Sequence, residues 1–339
     1  NARGGALGDC LAAVLDKAGY NVWREFYVND AGNQIEKFGC SLEARYLQIF
    51  KGDEIEFPED GYQGADITEL AKEYADVNGD SLVNISSEER KNALVSFALP
   101  KNIKKMQDDM AKYKIFYDKW FFESELHKSG AVKDVVDLLT KKGLTYEKEG
   151  AIWYKNKQVL TEKLLKEGKS QKYIDNLELK DDVLIRQNGN PTYFTADIAY
   201  HKNKFDRGFT TLIDVWGADH HGHVMRMKGA MDAIGYDGNK LDVVLMQLVK
   251  LVRNGELVRM SKRTGKAIQL GDLLDEVPVD SARFLFNTRE ANTQMDFDLD
   301  LAVSQDNQNP VYYVQYAHAR ICSIFKSLAK DGINPRECS

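Results

Sequence analysis

A long apolar run, Leu241 to Val252, closes on Asn254-Gly255. A cationic stretch follows at once: Leu257-Val258-Arg259-Met260-Ser261-Lys262-Arg263-Thr264-Gly265-Lys266. Asn-Gly between apolar runs is a strong hairpin cue. Strand, tight turn and second strand then deliver a loop with four basic side chains, Arg259, Lys262, Arg263 and Lys266. Ser261, Thr264 and Gly265 predict that this loop is small and flexible. A cationic loop at a strand end suits a polyphosphate whose charge changes during reaction. Taken alone, such a loop is more often a solvated basic surface.

The 339 residues are enough for two or three domains and a sizeable core. With 29% charged and 43% hydrophobic residues, the composition is that of an ordinary soluble globular protein. No apolar run reaches membrane-spanning length and no signal peptide is visible. Cys10, Cys40, Cys322 and Cys338 lie far apart without zinc or redox spacing, which fits a reducing cytoplasm. The net charge of −6 argues mildly against nucleic acid as a partner of the whole surface, so an RNA partner would need a local basic patch. The chain opens without Met and inside a helical pattern, and reads as part of something longer.

Leu7, Leu11, Val14 and Leu15 recur at helical spacing until Gly19, and Asn21 to Val28 reads as a strand. Gly4, Gly5 and Gly8 in the first turns imply close approach by a ligand, or tight packing of helix on sheet. No Gly-x-Gly-x-x-Gly and no Walker loop occurs, so a nucleotide must be held differently. Helices are expected over Asp66 to Val77 and Ser87 to Leu99, the second capped by Ser86 with Glu89 and broken at Pro100. Ile115 to Phe122 reads as a strand. Val132, Val135, Val136 and Leu139 mark a helix ending at Gly143, and Ala151 to Lys155 is a short strand. Asn156 to Lys180, rich in Lys and Glu, reads as a solvated face rather than an RNA contact.

Alternating α/β pattern returns at Val183. A hairpin is expected between Val183–Arg186 and Thr192–Phe194, around Asn188-Gly189-Asn190. A helix then starts near Thr195, with Asp197 in its first turn. There Asp197 either complements the helix dipole or faces a cationic substrate, since a carboxylate is a planar acceptor that suits a guanidinium. The strand Thr211 to Val215 leads into Trp216-Gly217-Ala218-Asp219-His220-His221-Gly222-His223. Strand, glycine, then acid at a helix start puts Asp219 at a sheet's carboxyl edge, where open α/β sheets bind nucleotides. Asp219 can accept from ribose hydroxyls, and Gly217 lets adenine approach the backbone. His220 and His223 share a helix face but lack a clear third ligand for zinc. Pro278 starts a helix with Ala282, Leu285 and Phe286 inward. A last helix follows Asn309-Pro310, and its aromatic stripe reads, in isolation, as core.

Four of these stretches carry a resemblance. Arg259-Met260-Ser261-Lys262-Arg263 is similar to the Lys-Met-Ser-Lys-Ser signature of class I aminoacyl-tRNA synthetases. Its first Lys has become Arg and its last Ser Arg, while the second Lys is kept as Lys262. Gly217-Ala218-Asp219-His220-His221 resembles the Gly-x-Asp-His-His element of that class. Asn1-Ala-Arg-Gly-Gly-Ala-Leu-Gly-Asp with Tyr27-Val-Asn-Asp-Ala-Gly-Asn-Gln-Ile35 looks like the start of the catalytic domain of bacterial arginyl-tRNA synthetases. Asn1 stands as the last letter of the His-x-Gly-His or His-x-Gly-Asn signature. Asn309 to Ile321 looks like the first helix of that family's helical anticodon-binding domain.

The resemblance implies a Rossmann-like α/β catalytic domain with a parallel sheet and a mixed, largely helical insertion, followed by the start of an all-α domain. The expected division is 1–50 and 183–306 for the two halves of the catalytic domain, 51–182 for the insertion and 307–339 for the helical domain. It implies an arginine-tRNA ligase that uses ATP with Mg²⁺, with arginine and tRNA(Arg) as partners, acting in the cytoplasm as a monomer. Lys262, Arg259 and Arg263 are expected to serve catalysis. Asn1, Gly217, Asp219, His223, Met260, Ser261 and Lys262 are expected on ATP, and Tyr193, Asp197 and His220 on arginine. The phosphate-contacting His of the signature would precede Asn1, so these 339 residues alone are expected to be inactive. Two other readings stay open: an adenylate-forming ligase of the same superfamily, and an inactive tRNA-binding module.

Overall fold

A computed structural model describes residues 2–258 and 268–334. Asn1, Arg259, Met260, Ser261, Lys262 and Arg263 lie outside the described residues. The chain opens with α1 (Ala2–Lys17) and β1 (Glu25–Val28), then three long helices, α2 (Gly32–Lys51), α3 (Ala65–Asn78) and α4 (Ser87–Lys112). Next come β2 (Lys119–Phe122), α5 (Glu123–Lys128), α6 (Ala131–Lys141), β3 (Thr145–Lys148), β4 (Ala151–Tyr154), α7 (Asn156–Lys166), α8 (Gln171–Asp175) and β5 (Asp182–Ile185). The second half holds α9 (Tyr193–Asp206), β6 (Leu212–Gly217), α10 (His221–Ile234), β7 (Leu241–Met246), β8 (Val249–Arg253) and β9 (Glu256–Val258). It ends with α11 (Leu270–Glu276), α12 (Val279–Phe286), β10 (Met295–Asp298), α13 (Leu299–Val303) and α14 (Pro310–Lys330).

Three parallel pairs form, each in its own small sheet: β1 with β2, β6 with β7, and β8 with β10. The apolar run from Leu241 is therefore two strands, β7 and β8, in different pairs. β8 turns back into β9 at Asn254 and Gly255, both with positive φ, 51° and 76°. That is the geometry in which an Asn-Gly turn matches strand twist. β3, β4 and β5 form a separate antiparallel sheet. One core joins β2, α5, α6, β4, β5, α9 and α10, a second joins α1 to α11–α13 and β10, and α2–α4 enclose a third of their own. The stretch 51–182 contributes α3 and α4 to the third core, which it shares with Phe38, Leu42 and Tyr46 of α2, and it also supplies β2, a strand paired with β1.

Local chemistry explains where elements fall. Ser86 and Glu89 make the expected capping box at the start of α4. Pro100, expected to end that helix, lies inside it. Its missing N–H would have reached the carbonyl of Ser96. Both residues are on the exposed side, so water can serve that carbonyl while Leu94, Ala98 and Ile103 stay buried. The second strand of the hairpin at 192–194 does not form. Arg186 N–H still donates to Asn190 O across the turn, but Pro191 has no N–H to extend a ladder, and the chain enters α9 at Tyr193. Asp197 consequently sits in the second turn of that helix, not the first.

α1 forms as its spacing predicts, yet its buried face is Arg3, Ala6 and Ala12, while Val14 is exposed. The glycines are the reason. A Cβ on Gly4 would stand 3.2 Å from Met246 on β7, and one on Gly5 would stand 3.1 Å from Ile115. Gly4 thus serves helix-on-strand contact, and Gly5 contact with the segment between α4 and β2. Arg3 lies 2% exposed and donates to the carbonyls of Gln247, Thr293, Arg289 and Glu290, tying α1 to the end of β7 and the turn before β10. Arg3→Met strips the donors from four partly buried hydrogen bonds and should cost about 2–4 kcal/mol. Chemical denaturation checks this; a midpoint equal to that of the parent chain would show the staple to be idle.

α14 departs from its expected role. Val311 is buried, but Tyr313, Tyr316 and Phe325 are exposed, because α12 and α13 cover only its first turn. The aromatic stripe is not core in this chain.

Candidate active site

β6 ends at Gly217, one 3-10 turn spans Ala218–His220, and α10 starts at His221. This places Asp219 at the carboxyl end of a parallel strand, where such sheets take ligands. Its side chain is open to solvent, with His220 Nε2 3.7 Å from its Oδ2. A Cβ on Gly217 would fall 2.4 Å from Asp219 Oδ1, so glycine lets that carboxylate fold back over the strand end.

Four further residues converge nearby, each from a different position in the sheet-and-helix frame. Tyr27 on β1 donates its hydroxyl to Glu123 Oε2 at 2.9 Å. Glu123 opens α5 directly after β2 and is 5% exposed; His127 Nε2 lies 3.4 Å from its other oxygen. Tyr193 and Asp197 come from the first two turns of α9. Burial pushes the Tyr193 hydroxyl up to about 12, helped by the charges of Asp197 and then Glu123. Tyr27 is driven far above the ordinary tyrosine range by burial, by Glu123 and by Asp197. Both phenols therefore stay protonated and can donate at neutral pH. Among the described residues, no Lys or Arg pairs with Asp197 or Glu123. Two carboxylates without a cationic partner, walled by phenols, make a pocket for a cation with several donors.

Asp197 is buried and fixed on both sides. Its Oδ2 meets His223 Nε2 at 2.8 Å. Its backbone carbonyl meets His201 Nδ1 at 2.7 Å. His201 in turn touches Asp214 on β6, whose other oxygen accepts from Lys204 at 2.7 Å. Burial alone would raise Asp214, but Lys204 and His201 pull it well below the usual carboxylate range.

The expected residues are thus partly regrouped. Tyr193 and Asp197 come together. His223, expected beside the nucleotide residues, is buried against Asp197, whereas His220, expected with the arginine set, stands exposed beside Asp219. Their rings are still neighbours, with centroids 6.4 Å apart. Tyr27 and Glu123 escaped the sequence reading. A signal for Glu123 was present: an acid directly after the apolar strand Lys119–Phe122 at a helix start, the pattern that singled out Asp219. Among the described residues, no group of three or more His, Cys, Asp or Glu is placed to hold a metal ion. No described helix is long and apolar enough to cross a membrane.

A parallel sheet with an acid at one strand end and a carboxylate-lined cation pocket beside it defines a class I synthetase type of nucleotide-binding domain. The family model described as "tRNA synthetases class I (R), catalytic domain" matches residues 2–321. The chain belongs to that family. It is 59% identical over 335 residues to an arginine–tRNA ligase of Ruminiclostridium cellulolyticum, covering 98% of this chain and 56% of that protein. A second arginine–tRNA ligase, from Caldanaerobacter subterraneus, is 58% identical over 334 residues, again across 98% of this chain and 56% of the relative. A crystal structure from Campylobacter jejuni, provisionally named an arginyl-tRNA synthetase, superposes with a TM-score of 0.81 at 35% identity, over 98% of this chain and 68% of that one. The chain spans a little over half the length of the curated relatives it matches.

Proposed function

We propose that the whole protein containing this chain is an arginine-tRNA ligase. The arginine carboxylate attacks the α-phosphate of ATP, giving arginyl-adenylate and pyrophosphate. A hydroxyl of the 3′-terminal ribose of tRNA(Arg) then takes the arginyl group and AMP leaves. Neither step needs a protein nucleophile, so the protein's task is positioning and charge stabilisation. In this reading Asp197, Glu123, Tyr193 and Tyr27 hold the guanidinium, and the exposed Asp219 with Gly217 receives the ribose and adenine. Asn1, Met260 and Ser261 belong to the two signatures around the phosphates, and Lys262 with Arg259 and Arg263 meets the leaving pyrophosphate. His220 stays at the open edge between the arginine and nucleotide sites, and His223 acts through Asp197. Mg²⁺ would arrive with the triphosphate, for among the described residues no group of three or more His, Cys, Asp or Glu is placed to hold it. In the same reading, 1–50 and 183–306 are the halves of the catalytic domain, 51–182 is the insertion and 307–339 starts the helical domain.

One observation carries this proposal: Asp197 and Glu123 both act on the phenols of Tyr193 and Tyr27, and among the described residues neither carboxylate is paired with a Lys or Arg. A guanidinium fits that demand, with five donors in a plane. Glu123→Gln keeps the shape and removes one charge. It should raise the KM for arginine roughly ten- to a hundredfold, the worth of a charged hydrogen bond, and leave the KM for ATP near its parent value. Steady-state aminoacylation by the whole protein reads both numbers. An unchanged KM for arginine would place the guanidinium elsewhere.

A further inference from the structure

The hydrogen-bond chain that begins in the pocket does not stop at Asp197. His223 Nε2 is 2.8 Å from Asp197 Oδ2, and His223 Nδ1 is 3.1 Å from a terminal nitrogen of Arg226. A guanidinium carries donors only, so Nδ1 must accept. The ring proton then lies on Nε2, where it donates to Asp197. Arg226 is itself held. Its other terminal nitrogen donates to Asp182 at the start of β5, and its guanidinium carbon lies 5.5 Å from the Phe194 ring centroid. Phe194 also meets the His223 ring nearly edge-on, with centroids 5.6 Å apart. The series Asp182, Arg226, His223, Asp197 therefore runs from the small antiparallel sheet into α9.

Counting charge along this series gives its purpose. Arg226 is ion-paired with Asp182, and burial nonetheless holds the Asp182 carboxyl above its ordinary value. His223 in the Nε2–H tautomer adds nothing. Among the described residues no Lys or Arg pairs with Asp197, and its Oδ1 has no hydrogen-bond partner.

We infer that Arg226 is a positioning residue for arginine selectivity: it fixes the tautomer of His223 and so keeps the Asp197 carboxylate aimed and uncompensated for the substrate's guanidinium. This inference rests on the reading of Asp197 as an arginine ligand and extends it to a residue that never touches the substrate. Without Arg226, the His223 proton can move to Nδ1 and turn a lone pair toward Asp197. Alternatively the ring takes up a second proton and becomes a cation that competes with the substrate. The groups facing that ring are Asp197 from α9, Arg226 on its own helix and His220 from the preceding turn, with the rings of Phe194 and Trp216 closing the rest. Asp182 reaches it through Arg226. Either change weakens arginine binding and spares the nucleotide side.

The test uses the whole protein labelled with ¹⁵N-histidine, the parent beside Arg226→Met and Arg226→Lys, with the His223 signal assigned through His223→Gln. The parent should show the Nε2–H tautomer. Arg226→Met should show protonation at Nδ1, a Kd for L-arginine raised about tenfold by calorimetry, and an unchanged KM for ATP. Arg226→Lys, which retains a donor toward Nδ1, should recover part of both the tautomer and the affinity. If Arg226→Met does not fold, Arg226→Gln serves: its amide can offer either oxygen or NH₂ to Nδ1, so a mixed tautomer with weakened arginine binding is expected. An unaltered tautomer in the Met or Gln variant overturns the inference, whether the affinity is that of the parent or falls for arginine and ATP alike. Asp197→Asn separates the two layers. Parent-like arginine binding by Asp197→Asn sinks the pocket itself. Lost binding there, with an unaltered Arg226→Met, sinks only the role of Arg226.

Discussion

Asp197→Asn should weaken arginine binding by roughly 2–4 kcal/mol, a factor of about thirty to a thousand. The side chain is nearly buried, and one of its oxygens is committed to His223. An asparagine there has to turn its oxygen to the His223 N–H. Its NH₂ then points into the pocket, donor against the donors of the guanidinium. Charge and acceptor are lost together, in a site where little water can compensate. Arginine-dependent aminoacylation by the whole protein measures the effect. A specificity constant for arginine equal to that of the parent would remove Asp197 from the pocket.

Lys262→Ala should lower kcat by roughly two to three orders of magnitude, with a smaller change in the KM for ATP. Lys262 lies outside the described residues, and the expectation comes from the signature and from family membership. The hairpin β8–β9, anchored through the parallel pairing of β8 with β10, ends at Val258, directly before the signature. Negative charge builds on the bridging and terminal oxygens as pyrophosphate leaves, so an ammonium that meets them at that moment lowers the barrier more than it aids binding. Arg263→Ala should do less, since Arg263 is assigned to holding the phosphates. The assay contains tRNA, so that it reads adenylate formation and transfer together. A raised KM for ATP with kcat intact would make Lys262 a plain phosphate binder.

Local signals carried most of the fold. The Asn-Gly turn, the Ser86–Glu89 capping box, the helices α3, α6 and α12 and the strand–glycine–acid order at Gly217 and Asp219 each follow from a few neighbouring residues. What stayed hidden was decided by partners distant in the chain. Nothing in Lys119–Phe122 tells that its partner is Glu25–Val28, nearly a hundred residues earlier, yet that pairing brings Glu123 to Tyr27. Pro100 misled because the cost of proline in a helix depends on whether the orphaned carbonyl faces water. The histidines at 220 and 223 share a helical spacing, but spacing cannot say which of them Asp197 takes. The glycines of α1 left ligand approach and tight packing open, and only the distant partners of Gly4 and Gly5, Met246 and Ile115, decide for packing. The resemblance supplied what local pattern could not, a role for Tyr193 and Asp197 before any neighbour of theirs was known.

The central claim is that the pocket of Asp197, Glu123, Tyr193 and Tyr27 selects a guanidinium. The direct measurement is aminoacylation of tRNA(Arg) by the whole protein with ATP and Mg²⁺, supplied in turn with arginine, lysine and citrulline. Citrulline keeps the planar shape and most of the size of arginine but has lost the charge and replaced donors with a carbonyl; lysine keeps the charge on a single point. The account predicts charging with arginine and a kcat/KM lower by about a thousandfold or more for both analogues, since each leaves a buried carboxylate unmatched. Citrulline or lysine charged with a kcat/KM close to that of arginine, or no charging with arginine at all, would contradict it.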